Sequence, residues 1–307
     1  MIIRKHYGDF SRKMPRRKID EMKIAIVGAA GLVGKEFTQQ LSKEHQLLAF
    51  THNDLDITDA QAVRRAVFDS RPQLIINCAV LGVDRCELEP SLAWSVNVSG
   101  PEYLAKAAAD IDADFVQMSS NYVFDGKRES GSPYTSDDRP NPISVYGETK
   151  LGGERAVTVI SRRCFIIRTS WVFGAGKENF FSTAHRSLKA GKKIRAITDV
   201  WASATYVRDL VARVIEILSL RGYSTYHVVN SGVCSYYDFA LEVASLLEIS
   251  DTARLIEPVK LDQLRLLAER PRDTPMRCMV SDEIGLTPLR DWRVALAEFI
   301  REDCRGI

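Results

Sequence analysis

Six cysteines (Cys78, Cys86, Cys164, Cys234, Cys278, Cys304) and five histidines are scattered through 307 residues, with no Cys-x-x-Cys pair and no cysteine or histidine at metal-ligand spacing. That scatter excludes a zinc module and a disulfide scaffold, and reduced thiols in a cytoplasmic protein account for it. No histidine pairs with a Ser or Cys nucleophile motif, so a hydrolase triad has no support. Long apolar runs are missing as well. Leu74–Ile76 and Phe165–Ile167 stop at polar neighbours, far short of the ~20 residues a bilayer helix needs. An excess of one charge is absent from the body of the chain. The formal +2 hides a tail, because residues 1–22 hold seven Lys/Arg and three Asp/Glu, leaving 35 basic and 37 acidic residues elsewhere. A nearly neutral body excludes a phosphate-backbone partner, so no nucleic acid and no membrane is expected. The basic tail (Arg4, Lys5, Arg12, Lys13, Arg16, Arg17, Lys18) lacks the apolar stretch of a secretory signal and ends at Met22. It reads as a disordered extension, a start codon placed too early, or a contact for an anionic surface.

What is present is an ordinary globular composition, 45% apolar and 27% charged, long enough for two domains or one α/β unit with a lobe. Short β-branched runs alternate with helical patterns. Strands are expected at Lys23–Val27, Gln46–Phe50, Gln73–Asn77, Asp114–Met118, Cys164–Thr169, Lys193–Ile197 and Tyr226–Val229. Helices are expected from about Leu32, Asp59, Glu89 and Ser144, over Tyr206–Leu218 and Tyr237–Leu247, and at Arg293–Ile300. A Pro- and Asp-rich loop spans 125–143. Such alternation implies a doubly wound parallel sheet with helices on both faces. The expected division is a dinucleotide-binding domain over 23–172 and 205–230 and a smaller substrate-binding lobe over 173–204 and 231–307. Apolar spacing at Trp292, Leu296, Phe299 and Ile300 indicates packing in that lobe.

Sites in such sheets form at the carboxyl ends of the strands. Gly28-Ala29-Ala30-Gly31-Leu32-Val33-Gly34 follows the first strand and opens the first helix. Its glycines permit a tight turn and close approach of a pyrophosphate to backbone N–H groups at a helix N-terminus. Gly28, Gly31, Leu32, Val33 and Gly34 are therefore candidate cofactor contacts. The second strand runs out as Phe50-Thr51-His52-Asn53 with no acid at its tip, and Asp54 lies just beyond. A carboxylate there would bind the adenosine ribose and repel a 2′-phosphate, so NADPH is favoured at Thr51, with NADH left open. Asp56 and Ile57 are candidates for the adenine, although this segment also reads as the cap of the next helix. After the third strand, Cys78, Ala79 and Val80 either line the cleft or are small core residues.

The sharpest chemical signal is Tyr146-Gly147-Glu148-Thr149-Lys150, whose Tyr and Lys share one helix face. It is the only Tyr-x-x-x-Lys among ten tyrosines, and it follows the fourth strand, where a nicotinamide would lie. Ser120, in Met118-Ser119-Ser120-Asn121, adds a hydroxyl. Ser120, Tyr146 and Lys150 together suit a carbonyl reductase.

The chain resembles the extended short-chain dehydrogenase/reductases, and within them the dTDP-4-dehydrorhamnose reductase family, over about residues 23–300. The resemblance rests on the glycine motif, Leu55-Asp56-Ile57-Thr58-Asp59, Ile76-Asn77-Cys78-Ala79, Val83-Asp84-Arg85-Cys86-Glu87 and Val96-Asn97. It continues through Ser119 to Gly126, Val145 to Lys150 with Gly153-Glu154, and Arg168 to Gly174. It implies a Rossmann-type fold and reduction of the 4-keto group of a nucleotide-diphosphate 4-keto-6-deoxyhexose, with a nucleotide sugar as partner and a homodimer left open. Ser119-Ser120-Asn121 stands where the family usually has Ser-Thr-Asp, so a substrate-facing carboxylate becomes the Asn121 amide. Asp199 to Thr205 departs from the family's Asp-Gln-x-Gly-x-Pro-Thr, which keeps a related sugar in view. Trp171 is a candidate wall of the sugar site or sheet core, and Arg270, in Glu269 to Asp273, a candidate substrate contact.

In the implied mechanism Tyr146 donates a proton to the ketone oxygen. Lys150 holds the nicotinamide ribose and, with the oxidised ring, biases Tyr146 toward phenolate, from a pKa of ~10 to ~7, by about 4 kcal/mol. Ser120 orients the carbonyl. Two other classes share parts of this pattern: a non-catalytic regulatory subunit on the same fold, against which Ser120, Tyr146 and Lys150 argue, and a surface-binding protein using the tail.

Overall fold

The computed structural model describes residues 21–128, 132–277, 279 and 283–303. Nearly all of the basic extension, and Cys278 and Cys304, lie outside the described residues. Cys78, Cys86, Cys164 and Cys234 are free thiols.

Six strands form the central sheet: β1 (Lys23–Val27), β2 (Gln46–Phe50), β3 (Leu74–Asn77), β4 (Asp114–Ser120), β5 (Cys164–Thr169) and β6 (Thr225–His227). Their order is β6-β5-β4-β3-β1-β2, and every neighbouring pair is parallel. Both faces are buried, as near-continuous apolar strands require. Ile24, Ile26, Leu74, Ile76, Val116, Met118, Phe165 and Ile167 pack on one side with the helices Leu32–Leu41 and Val207–Leu220. Ala25, Val27, Ile75, Phe115, Cys164 and Ile166 pack on the other, against the helices Ala60–Ser70 and Gly100–Ala109 and Val157 of the helix Val145–Ile160. The core of the first side extends to Trp292, Leu296, Phe299 and Ile300 of the last helix, Trp292–Asp303.

Local sequence sets where the helices begin. The Asp59 side chain accepts from the Gln61 and Ala62 amides to cap Ala60–Ser70. Ser144 accepts from the Gly147 amide at the start of Val145–Ile160. Each satisfies donors that a first turn leaves orphaned.

Three expectations need correction. The helix expected from Glu89 begins earlier, as Val83–Leu88, and breaks at Glu89. Pro90 has no N–H with which to continue it and instead opens Pro90–Trp94, which runs through a π turn at Ser95–Ser99 into Gly100–Ala109. The strand expected at Lys193–Ile197 is Ile194–Ile197, and it pairs with Ile256–Val259 outside the central sheet. The strand expected at Tyr226–Val229 is Thr225–His227, because only the stretch in register with Ile166–Arg168 pairs.

Candidate active site

Chain order reverses across β1, which is flanked by β2 and β3, so a crevice opens beyond the ends of β1 and β3. Gly28 stands there with φ +78°, and a Cβ on it would lie 2.6 Å from the Ala79 nitrogen and 2.8 Å from the Cys78 carbonyl carbon. Only glycine brings the turn this close to the end of β3. Gly31 precedes the helix Leu32–Leu41 without any side-chain cap, and no acid occupies its first turn. Its first amides thus remain available to an anion. These features fit a dinucleotide pyrophosphate.

The adenosine end differs from the sequence reading. Asp54 folds back, accepting from the Thr51 amide at 2.8 Å and the Thr51 hydroxyl at 2.6 Å, which holds its carboxyl below the usual range. An acid therefore does sit at the β2 tip, three residues later than a strand-end carboxylate. Asp56 accepts from the Thr58 amide and hydroxyl at 2.9 and 2.8 Å, the turn-capping alternative, and Ile57 is buried against Gly100. At the β3 end, Cys78 donates its amide to the Val27 carbonyl, and burial pushes its thiol up to about 12. The Ala79 amide bonds the Asn77 side chain, while Val80 is 48% exposed and packs in no core.

At the end of β4, Ser120, Asn121, Tyr122 and Tyr146 line a cavity of about 330 Å³ with Thr169, Trp171, Phe180 and Tyr236. The Ser120 hydroxyl donates to Asn121 Oδ1 at 3.1 Å and accepts from the Tyr122 amide at 3.2 Å. Tyr146 stands edge-on to Tyr122, ring centroids 5.3 Å apart. Gly147 brings its helix hard against the 121–123 turn, since a Cβ there would lie 2.3 Å from the Tyr122 carbonyl oxygen. Lys150 is 4% exposed and donates to the Met118 carbonyl at 2.6 Å. Burial lowers Lys150 to about 8, against the opposing pull of Glu154. Burial raises the Tyr146 phenol well above its ordinary value, opposite to the phenolate bias expected, with the nearby Ser120 hydroxyl pulling the other way. A raised phenol remains protonated, which is the form a proton donor needs.

The remaining candidates divide. Trp171, at φ +43°, lines the cavity and packs on Phe181 and Tyr236 at 4.7 and 4.5 Å, so it is both wall and core. Asn121 lines the cavity, but its amide donates to Thr274 Oγ1 at 2.7 Å. Arg270 pairs with Asp84 at 2.7 and 2.9 Å beside the Tyr122 ring, and its Nη1 is buried without a protein partner. Sequence reasoning missed the buried, unpartnered hydroxyls of Thr169 and Ser170, both on the cavity wall. It also missed an ion pair, Glu154–Arg168, with both side chains 6% exposed. A charge at the end of the apolar strand Cys164–Thr169 was the available signal, because a buried charge requires a partner.

A glycine turn at the reversal point of a parallel sheet, with Tyr146 and Lys150 on a helix at the neighbouring strand end, defines a Rossmann-type dehydrogenase/reductase. The chain belongs to the RmlD substrate binding domain family, whose model matches residues 22–304. It is 38% identical over 292 residues, 93% of this chain and 88% of the relative, to the dTDP-4-dehydrorhamnose reductase of Mycolicibacterium smegmatis. It is 34% identical to the spore coat polysaccharide biosynthesis protein SpsK of Bacillus subtilis over 91% of this chain and 97% of that one. Among solved structures, the dTDP-4-dehydrorhamnose reductase of Bacillus anthracis in complex with NADP superposes with a TM-score of 0.87 at 32% identity, covering 92% and 99% of the two chains. Among the described residues no helix is long and apolar enough to cross a membrane.

Proposed function

We propose that this protein reduces the 4-keto group of dTDP-4-dehydrorhamnose to give dTDP-rhamnose, with NADPH as reductant. The observation that carries the reading is the presence of Ser120 and Tyr146 together on the wall of one sugar-sized cavity, with the buried Lys150 one turn along the same helix. The activities named for the relatives support it.

Gly28, Gly31 and the first turn of Leu32–Leu41 would hold the pyrophosphate, Thr51 at the β2 tip the adenosine, and Lys150 the nicotinamide ribose, while Ile57 serves the core. When bound, NADPH supplies the hydride for the ketone carbon. Tyr146 gives its phenolic proton to the ketone oxygen as negative charge grows there. Ser120 donates to the same oxygen and fixes its approach. Thr169 and Ser170 meet sugar hydroxyls, and Trp171, Phe180 and Tyr236 wall the hexose ring. Arg270, through its free Nη1, meets the diphosphate. Residues 173–204 and the described part of 231–303 form the substrate lobe around this wall.

The direct test is loss of NADPH absorbance on mixing purified protein with dTDP-4-dehydrorhamnose. No turnover would end the reading. One observation favours NADH as well, the Asp54 carboxylate at the β2 tip. Parallel assays with both cofactors weigh it.

A pH dependence follows. Reduction needs Tyr146 protonated and Lys150 charged. Tyr146 is raised and so keeps its proton, whereas Lys150 loses its own near pH 8. We expect kcat/KM, which reports the free enzyme, to hold steady below that pH and to fall tenfold per unit above it. A profile that stays level through pH 10 would remove the charged Lys150 from the mechanism.

A further inference from the structure

Glu154 lies one turn beyond Lys150 on the helix Val145–Ile160, buried, and the reduction described above gives it no part. Its Oε1 accepts from the Ser119 hydroxyl at 2.5 Å and from Arg168 Nε at 2.9 Å, and its Oε2 accepts from Arg168 Nη2 at 2.7 Å. Ser119 and Arg168 are register partners on β4 and β5, and His227 is the register partner of Arg168 on β6. The three side chains form a polar row on the sheet face that the helix covers. Arg168 Nη1 approaches His227 Nε2 at 3.5 Å, and burial together with Arg168 lowers His227 to about 3, leaving it neutral. Inward of the row the same face carries one neutral pair, Asn77 Nδ2 donating to Gln117 Oε1 at 2.9 Å, and is then apolar, with Ala25, Ile75, Phe115 and Ile166. Apolar side chains would have packed the helix at less desolvation cost than a buried ion pair, so packing alone does not account for the row.

We propose that Glu154 is a positioning residue for the reduction, locking the helix that carries Tyr146 and Lys150 to the strand end that carries Ser120 and setting an anion beside the Lys150 ammonium. This rests on the reductase reading above. The groups that face Lys150 are Tyr146 and Glu154 on its own helix, Cys78 at the end of β3, Cys86 on Val83–Leu88 and the Met118 carbonyl on β4, with Arg168 of β5 on the far side of Glu154. Burial keeps both thiols protonated. Glu154 is therefore the anion in that set. Without it, burial acts on Lys150 with less opposition, and the ammonium gives up its proton at a lower pH.

Two full-length variants test this. Glu154→Gln keeps the shape and removes the charge, at the cost of stranding Arg168. Glu154→Gln with Arg168→Met removes both charges, so no buried cation is left alone and the melting temperature recovers. In each we expect kcat to fall about 10- to 100-fold with little change in NADPH affinity, and in Glu154→Gln the alkaline limb of kcat/KM to move down by about one pH unit. A structural staple would leave the limb in place and would restore kcat along with the melting temperature. The proposal is overturned if the double variant, folded by circular dichroism, turns over within twofold of wild type, or if a folded Glu154→Gln keeps the wild-type limb. If Glu154→Gln does not fold, the double variant decides alone through kcat. If the double variant is also unfolded, the buried pair is structural and the proposal falls. Wild-type protein that fails to reduce the keto sugar defeats the reductase reading, whereas active wild type matched by its variants defeats only this inference.

Discussion

Tyr146→Phe should lower kcat on the order of 10³-fold, about 4 kcal/mol of transition-state stabilisation, while NADPH binds almost as before. The substitution removes one oxygen from a ring that already packs edge-on against Tyr122, so shape and burial survive and only the proton donor is lost. The Ser120 hydroxyl, which also donates to Asn121 Oδ1, does not inherit the role, because an alcohol is a far weaker acid than a phenol. Steady-state kinetics with fluorescence titration of NADPH separates the two quantities. Turnover within tenfold of wild type would mean that the proton comes from elsewhere.

The second large effect is expected at the crevice. Gly28→Ala places a methyl group 2.6 Å from the Ala79 nitrogen at a φ of +78°, a backbone conformation that costs an L-residue roughly 1–2 kcal/mol before any clash is counted. The neighbours are backbone atoms of Cys78 and Ala79, which cannot rotate away. Either the turn moves off the end of β3 or the strands part. Both displace the amides that face the pyrophosphate, so NADPH affinity should drop by about 100-fold or more, corresponding to ~2.7 kcal/mol, with a lower melting temperature. A variant that binds NADPH normally would show that the crevice is not the cofactor site.

The contrast between these residues and Glu154 explains what a linear reading can find. β1, β2 and β5 were legible to the residue, since each is a short apolar run followed by a turn or a bend. Tyr146 and Lys150 were legible because a helix brings positions four apart together. Asp54 lies past the strand end in sequence and only the turn geometry returns it to Thr51, yet the NADPH preference read at that tip agrees with the NADP bound by the Bacillus anthracis relative. Glu154 and Arg168 are 14 residues apart on different elements, and the Asn121–Thr274 bond spans 153. No periodicity links such pairs. The smaller sheets were illegible for another reason, as Trp201–Ala202, Cys234–Ser235 and Asp273–Thr274 are two residues each, too short to carry an alternating pattern.

Gly147 bears on how such an enzyme acquires new substrates. The helix behind Tyr146 touches the 121–123 turn at the level of the main chain, with no room for even a methyl group between them. The spacing between Tyr146 and the strand end is therefore fixed by peptide atoms that every amino acid shares, whereas the opposite wall is made of side chains, Trp171, Phe180 and Tyr236, which pack on one another. Under selection for a different hexose, accepted changes should accumulate on that aromatic wall and leave Gly147 untouched, so that sugar preference drifts while the reaction itself stays constant.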